Sequence, residues 1–335
     1  MNEDFYQKLK GIVKDEQILI EEPLAKHTTF QIGGPAEFLL LPETNNQVVS
    51  VIKFCRESNI PFYVIGNGSN LLVSDKGYRG IIIKIGQYMS NIIIQPYNRK
   101  DDNLQDSPNS ETDTQEVPAG EETLYLVKAG AGVLLSKLAN VIAEHELTGF
   151  EFASGIPGSL GGAVTMNAGA YDGEMKDSII GATVADQSGN ILYLNKEELK
   201  LSYRKSIIQE KNYIVLDASF VFPLGDKEEI RNKMNNLNER RRDKQPLEYP
   251  SAGSTFKRPE GNYASKLIME SGLRGFQVGN AQVSEKHCGF VINKGGATAT
   301  DVMTLITEIK RIVFDKYGVM LEPEVRLLGD FQKLG

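Results

Sequence analysis

The first half of the chain alternates between short apolar runs and segments with helical periodicity. Three apolar runs predict buried strands, at residues 62–66, 80–85 and 124–132. The segment 133–147 predicts a helix, with Leu134, Leu138 and Val141 on its apolar face. Strands and helices in alternation predict a mixed α/β, or α+β, fold.

A further helix is predicted after residue 44 by its start and stop signals. Thr44 and Gln47 have the spacing of a capping box, and Pro61 marks the end of the segment. The apolar positions at helical spacing in between are Val48, Ile52 and Cys55.

Two helices are predicted in the second half of the chain. The segment 226–246 places Ile230, Met234 and Leu237 on one face and ends at Pro246. The segment 300–318 is followed by Gly318 in a position that suits a left-handed cap. Its apolar stripe predicts a core helix and consists of Val302, Leu305, Ile306, Ile309 and Val313.

Residues 96–122 interrupt this pattern with a polar and acidic segment that has few apolar residues. Such a composition cannot bury enough apolar surface to offset the entropy of ordering, so it predicts a disordered insertion. Because strand patterns flank it on both sides, the insertion is expected inside a domain.

Composition narrows the classes of protein. The chain has 335 residues, a net charge of −7 and two cysteines, Cys55 and Cys288. These numbers favour a reducing compartment and argue against nucleic-acid binding. The N-terminus is charged without an apolar core, and no apolar run reaches about 18 residues. We therefore expect no signal peptide, no membrane span and a cytoplasmic location.

Positive charge is concentrated in one segment of this acidic chain. Residues 231–274 contain ten Lys or Arg and five Asp or Glu. A solvated helix face is one explanation, and a pocket for a phosphate- or carboxylate-bearing ligand is the other.

Two glycine-rich loops, 65–72 and 153–173, point to a phosphate-bearing ligand. Glycines allow positive φ and close approach of backbone amides to an anion. Leu71 replaces the third glycine of a Rossmann fingerprint, and no stretch matches the P-loop pattern, so neither common nucleotide motif applies.

Taken together, six segments resemble the UDP-N-acetylenolpyruvoylglucosamine reductase (MurB) family. They occur in the family's order along nearly the whole chain outside 96–122: residues 27–38, 64–73, 154–171, 201–206, 250–259 and 321–329. The last two read PSAGSTFKRP and LEPEVRLLG. No lid loop with a tyrosine follows Arg204. In this respect the chain resembles the type II subfamily.

The resemblance implies a flavoprotein with noncovalent FAD and NADPH as electron donor. It implies a two-subdomain FAD-binding region of the vanillyl-alcohol-oxidase (PCMH) type and a C-terminal α+β substrate domain. The expected domains are 1–75 with 320–335, then 76–225, then 226–319. The implied cofactor-binding residues are Ile65, Gly66, Asn67, Gly68, Ser69, Asn70, Leu71, Ser154, Gly155, Pro157, Gly158, Gly161, Gly162, Asn167, Gly169 and Ala170.

The resemblance also implies the chemistry. NADPH reduces the flavin, which passes a hydride to C3 of an enolpyruvyl ether, and C2 takes a proton. Ser254 matches the proton donor, and Arg204 and Glu324 match residues that stabilise the intermediate at the substrate carboxylate. The expected substrate-binding cations are Lys244, Lys257, Arg258 and Arg274.

Three other points complete the expectations. His27, His145 and His287 fit no pattern of covalent flavin attachment, and no Cys, His or Asp cluster has metal-ligand spacing. A monomer is expected. Two alternative functions stay open at this point: a vanillyl-alcohol-oxidase-type dehydrogenase of a 2-hydroxy acid or alcohol, and a non-enzymatic nucleotide-sugar binding protein.

Overall fold

The structure is a computed structural model that describes residues 3–97, 123–171 and 173–331. Its helices are Glu3–Lys10 (α1), Asn45–Glu57 (α2), Leu135–Glu144 (α3), Leu160–Thr165 (α4), Met175–Ser178 (α5), Ile207–Lys211 (α6), Lys227–Lys244 (α7), Ala264–Glu270 (α8) and Ala299–Tyr317 (α9). Short 3-10 turns cover Asp15–Gln17, Leu24–His27, Gln87–Met89 and Glu151–Ala153.

The strands follow in chain order. Those of the first half are Ile18–Pro23 (β1), Pro35–Leu40 (β2), Phe62–Ile65 (β3), Leu71–Val73 (β4), Tyr78–Lys84 (β5), Ile92–Tyr97 (β6) and Leu124–Gly130 (β7). Those of the second half are Gly169–Ala170 (β8), Gly173–Glu174 (β9), Ile179–Ala185 (β10), Ile191–Asn195 (β11), Ile214–Pro223 (β12), Ser251–Ser254 (β13), Gln277–Val278 (β14), Ala281–Val283 (β15), Phe290–Asn293 (β16) and Arg326–Leu328 (β17). This mixture of helices and sheets is the α+β class that the pattern predicts.

The described chain divides into two compact units. Unit 1 comprises Met1–Leu41, Cys55–Lys84 and Glu239–Gly335, and unit 2 comprises Pro42–Phe54 and Ile85–Asn238. The finer division into three domains, with boundaries at 75, 225 and 320, stays a prediction.

Unit 1 contains two four-stranded sheets and a strand pair. The first sheet has the order β1-β2-β5-β3 and the second, which is antiparallel, has the order β13-β16-β15-β14. The C-terminal strand β17 pairs in parallel with β4, so the end of the described chain lies beside the strand that follows the first glycine loop.

Helix α9 anchors the core of unit 1. All five residues of its predicted stripe are buried, and each such side chain contributes about 1.5–3 kcal/mol when it leaves water. Gly318 adopts φ +67° after the helix, which confirms the predicted left-handed cap. Asp75 accepts hydrogen bonds from the backbone N–H groups of Ala299 and Thr300, and so connects the start of α9 to the loop after β4.

Unit 2 is built on a five-stranded antiparallel sheet with the order β11-β10-β12-β7-β6. Four aromatic rings pack beside it, with centroids 5.4–5.9 Å apart. They belong to Phe150, Phe152, Phe220 and Phe222. The second glycine loop follows the first two of these rings in sequence, so this cluster fixes the base of the loop.

The predicted helix starting after Thr44 is confirmed, with one change in its cap. Thr44 Oγ1 accepts from the N–H of Gln47 at 3.2 Å, but Gln47 Oε1 accepts from the N–H of Glu43 at 2.7 Å. The reciprocal bond therefore reaches one residue further back than in a standard capping box. The predicted apolar positions in this helix are buried.

The predicted face of α3 is partly wrong. Leu134 is 43% exposed because it caps the helix with an extended backbone and so lies outside the helical phase. The residues that the helix buries are Leu135, Leu138, Ala139, Ile142 and Ala143. In α7, Ile230 and Met234 are buried as predicted, whereas Leu237 is half-buried.

The start of the predicted insertion also changes. Pro96 and Tyr97 belong to β6, an edge strand, where proline is tolerated because one side of the strand makes no ladder bonds. Residues 98–122, which carry the rest of that prediction, lie outside the described residues. Within the described ranges, none of the helices combines the length and apolar character that a membrane crossing requires.

Candidate active site

Ser254 is the last residue of β13 and lies at a bulge. Ser251 pairs with Ile292 and Ser254 with Phe290, so β13 has one extra residue between these pairs. Gly253 supplies the left-handed backbone of the bulge, with φ +77°. Bulges redirect side chains, and here the Ser254 side chain is exposed while its neighbours Thr255 and Phe256 are buried.

Thr255 anchors the backbone next to Ser254. Its Oγ1 accepts from the N–H of Val291 at 2.9 Å, and its N–H donates to the carbonyl of Gly289 at 2.8 Å. Its own carbonyl accepts from the N–H of Glu324 at 2.8 Å. A buried hydroxyl with a backbone partner is costly to displace, so these bonds restrict where Ser254 can lie.

Glu324 belongs to a segment that runs antiparallel to the residues after Ser254. The N–H of Lys257 donates to the carbonyl of Glu322 at 2.9 Å, and Phe256 forms a bridge with Pro323. From the other side, Asn70 Nδ2 donates to the Glu324 carbonyl at 3.2 Å. Unit 1 therefore brings together the segments of Ser254 and Glu324 and the end of the first glycine loop.

That first glycine loop is tightly packed at its centre. Gly68 has φ +64°, and a Cβ atom built on it would lie 2.1 Å from the carbonyl oxygen of His27. Ile65 and Leu71, at the two ends of the loop, are buried. The residues in between that keep accessible surface are Gly66, Asn67, Ser69 and Asn70.

The second glycine loop belongs to unit 2. The carbonyl of Gly158 accepts from the N–H of Leu135 at 3.0 Å, and the N–H of Gly161 donates to Ala131 at 2.8 Å. Gly155, Gly158, Gly162, Gly169 and Ala170 keep accessible surface, as does Pro157. Ser154 is buried, and its hydroxyl donates to Asn238 Oδ1 at 3.4 Å.

Small residues with accessible backbone, in loops where a side chain would clash or strain, fit the pyrophosphate of FAD. Asn167 differs from the other candidates because its side chain is used within the loop. It is 1% exposed, and its amide nitrogen donates to Glu174 and to the carbonyl of Ser202, the latter at 3.2 Å.

Arg204 lies in a tight turn of the same unit. Ser202 and Lys205 exchange two backbone hydrogen bonds of 3.0 Å, and Arg204 between them has φ +56°. Gln209 Nε2 donates to the carbonyls of Thr165 and Arg204, at 2.9 and 3.3 Å. The turn is thus tied to the end of α4. Left-handed backbone at a residue other than glycine is strained, and such strain clusters at functional sites.

The predicted substrate cations all belong to unit 1. Lys257 Nζ lies 3.0 Å from Glu322, and the Arg258 guanidinium lies 4.1 Å from the ring centre of Tyr263. Arg274 donates to the carbonyl of Glu285 and lies 3.2 Å from the Met269 sulfur. Lys244 is exposed at the end of α7.

Comparison with known proteins identifies the family of the chain. One family model, "UDP-N-acetylenolpyruvoylglucosamine reductase, C-terminal domain", matches residues 245–328, and an "FAD binding domain" model matches 36–100 and 117–195. A relative from Lachnoclostridium phytofermentans, named UDP-N-acetylenolpyruvoylglucosamine reductase, is 54% identical over 98% of this chain and 99% of its own length.

The chain belongs to the UDP-N-acetylenolpyruvoylglucosamine reductase (MurB) family. A relative of the same name from Caldanaerobacter subterraneus subsp. tengcongensis is 48% identical over 98% of this chain and 100% of its own. The crystal structure of the Thermus caldophilus MurB has a TM-score of 0.71 and 33% identity, over 93% of this chain and 98% of that one. The family resemblance of the six segments is confirmed, and the chain is an FAD-dependent oxidoreductase.

Three features that organise the candidate site were not singled out from the sequence. They are the Thr255 hydroxyl, the bond from Asn70 to the Glu324 carbonyl, and Gln209. Thr255 is one of the few buried residues of this segment, next to the buried Phe256 and the exposed Ser254. The bond between Asn70 and Glu324 joins residues 254 positions apart, which no local pattern reveals.

Proposed function

We propose that this chain reduces UDP-N-acetylglucosamine enolpyruvate to UDP-N-acetylmuramate with electrons from NADPH. FAD, when bound, supplies the hydride chemistry. The reaction is that of the relatives' printed name, at identities of 48–54% over nearly the full chain. The assignment of Ser254 and Glu324 rests on the backbone hydrogen bonds that hold their segments side by side.

The two glycine loops are proposed to hold FAD. In the first loop, the backbone from Ile65 to Leu71 and the side chains of Asn67, Ser69 and Asn70 are candidates. In the second loop the candidates are small residues, whose backbone a pyrophosphate can approach closely: Ser154, Gly155, Pro157, Gly158, Gly161, Gly162, Gly169 and Ala170. Asn167 is proposed to act by holding the loop in shape, because its amide group already bonds within the protein.

Ser254 is proposed to donate the proton to C2 of the substrate. A serine hydroxyl is normally a weak acid, but the acceptor is a strongly basic carbon, so the transfer is downhill if the oxygen is held on the face of that carbon. The bulge at Gly253 and the anchored Thr255 hold the hydroxyl in one place while leaving it exposed.

Arg204 and Glu324 are proposed to stabilise the negative charge that builds up at the substrate carboxylate, Arg204 as a cation and Glu324 as a protonated carboxyl that donates a hydrogen bond. The turn fixes the backbone of Arg204, and its guanidinium lies 5.3 Å from the ring centre of Tyr203. A positive group that is already in place when the charge develops needs little rearrangement. Lys244, Lys257, Arg258 and Arg274 are proposed to attract the diphosphate and carboxylate of the substrate.

The Ser254→Ala variant tests this assignment, because reduction of the flavin and its reoxidation can be measured separately. NADPH should reduce the bound flavin at the wild-type rate, while reoxidation by the enolpyruvyl nucleotide slows by about 100-fold or more. Ser251→Ala is the matched control, since Ser251 lies on the same strand and contacts Thr29 only through its carbonyl. Stopped-flow absorbance of the flavin measures both steps. Wild-type reoxidation in Ser254→Ala would contradict the assignment.

Three further properties are proposed with this function: noncovalent FAD, a monomer and a cytoplasmic location. Free and buried Cys55 and Cys288 support a reducing compartment. Flavin that stays with the acid-denatured chain would contradict noncovalent binding. Sedimentation of the holoenzyme tests the monomer, and fractionation of native cells tests the location.

A further inference from the structure

His27 belongs to a largely buried polar cluster in unit 1 that the proposed chemistry does not use. Its Nε2 lies 3.1 Å from Glu22 Oε1, and its Nδ1 lies 2.9 Å from Lys84 Nζ. The side chains of His27 and Glu22 are 13% and 19% exposed. An ammonium group can only donate, so Nδ1 must accept from Lys84, and Nε2–H then donates to Glu22. These contacts select one neutral tautomer.

Charge in the cluster opposes protonation of His27. A proton added at Nδ1 would place a second positive group 2.9 Å from Lys84 Nζ. Burial, then Lys84, lowers the pKa of His27, while Glu22 raises it, and Lys26 lowers it further. Burial also lowers the pKa of Lys84. Glu22 on β1, Lys26 on the same 3-10 turn and Lys84 on β5 are the charged groups that face His27.

The backbone of His27 packs directly against the first glycine loop. The carbonyl oxygen of His27 occupies the space where a Cβ of Gly68 would lie, 2.1 Å away. The N–H of Thr29 donates to the carbonyl of Gly68 at 3.3 Å. The conformation of residues 27–29 therefore sets where the centre of this loop lies.

The same segment contacts the strands of the candidate proton donor. Thr29 Oγ1 donates to the carbonyl of Ser251 on β13 at 2.7 Å. Asn293 Nδ2 on β16 donates to the carbonyl of Phe30 at 3.1 Å. Residues 27–30 thus lie between the glycine loop and the strand pair that ends at Ser254.

We propose that His27 is a positioning residue which, as a neutral imidazole between Lys84 and Glu22, holds residues 27–30 and thereby aligns the FAD loop with the Ser254 strand. This inference rests on the proposed assignment of residues 65–71 to FAD. Protonation of His27 breaks the contact with Lys84, releases residues 27–30 and weakens FAD binding.

The first test measures the dissociation constant of FAD from apoprotein by flavin fluorescence in steps from pH 8 to pH 5. Because burial and Lys84 lower the pKa of His27, the affinity should fall below the usual histidine pKa of about 6.5 and not around it. Wild type should bind FAD about tenfold more weakly at pH 5, the effect of losing one buried charged contact. His27→Leu should bind weakly at both values. His27→Gln should restore binding at both, because its amide accepts from Lys84 and donates to Glu22 without titrating.

Two controls keep the result interpretable. His145→Gln removes an exposed histidine of unit 2 and should keep the wild-type profile. Lys84→Met removes the partner of His27 Nδ1, so FAD should bind weakly across the pH range, as in His27→Leu. This loss is expected even if His27→Leu does not fold, and wild-type affinity of Lys84→Met at pH 8 would contradict the proposal.

Failure of this inference can be told apart from failure of the loop assignment. Gly68→Ala must clash with the His27 carbonyl, so it should weaken FAD binding at both pH values. If Gly68→Ala binds FAD like wild type, the assignment of the loop is wrong. If Gly68→Ala binds FAD weakly but folded His27→Leu binds it normally, only the role of His27 is overturned. The same conclusion follows if His27→Gln keeps the full pH dependence of FAD binding.

Discussion

Replacing Gly253 with alanine would strain the bulge that carries Ser254. Gly253 has φ +77°, a conformation that costs an L-residue about 1–2 kcal/mol. No atom lies within 4 Å of the Cβ that the change would add, so no clash increases this cost. Alanine also restricts the unfolded chain, which offsets about 0.4–1 kcal/mol. The net loss of stability should be about 1 kcal/mol.

The functional effect should be larger than the loss of stability suggests. Relief of the strain would rotate the backbone before Ser254, and a displacement of about 1 Å can slow a reaction about 100-fold. Gly318→Ala is the control, because Gly318 has φ +67°, equally open space around its Cβ position and no candidate catalytic residue beside it. Both variants should lose similar stability, and only Gly253→Ala should slow reoxidation of the flavin.

The measurements are urea unfolding of the holoenzymes and stopped-flow reoxidation of the reduced flavin by the enolpyruvyl nucleotide. The reasoning is refuted if Gly253→Ala is destabilised like Gly318→Ala but reoxidises at the wild-type rate. In that case the bulge contributes to stability alone and does not position the hydroxyl.

Two other predictions concern buried polar groups. Burial alone would raise the pKa of Glu151, but hydrogen bonds from Gly149 and Lys233 help to hold it below its usual range. The stability that Glu151 provides is therefore complete above about pH 4.5 and is lost as pH falls through the lowered pKa. Glu151→Gln should lower the free energy of unfolding in urea at pH 7 by about 1–2 kcal/mol, a modest loss because the partner Lys233 is exposed. The variant should also lose the part of the acid dependence that Glu151 causes. Thr255→Val should lower the free energy of unfolding by about 1–3 kcal/mol because the N–H of Val291 loses its buried partner. Thr255→Ser keeps the hydroxyl, so equal stability of these two variants would contradict this account.

Local pattern predicted seven elements of this protein, the helices α2, α3, α7 and α9 and the strands β3, β5 and β7. The apolar stripe of α9 and its glycine cap could be predicted because helical periodicity and left-handed backbone depend on residues close in sequence. The family segments likewise made Ser254 and Glu324 candidates from short motifs, and their roles stay a proposal. The predicted face of α3 was wrong at Leu134, which lies just outside the helix, because local pattern places a helix boundary only to within one or two residues.

Tertiary structure alone decided how these parts meet. The amino-acid sequence does not show that Thr255 bonds to Val291 and Glu324, or that Asn70 bonds to the Glu324 carbonyl, because these partners are far apart along the chain. The same holds for His27, which reads as an isolated histidine until β5 brings Lys84 beside it. The order of residues thus determined which groups the chain carries, and the pairing of distant strands decided which of them share an environment.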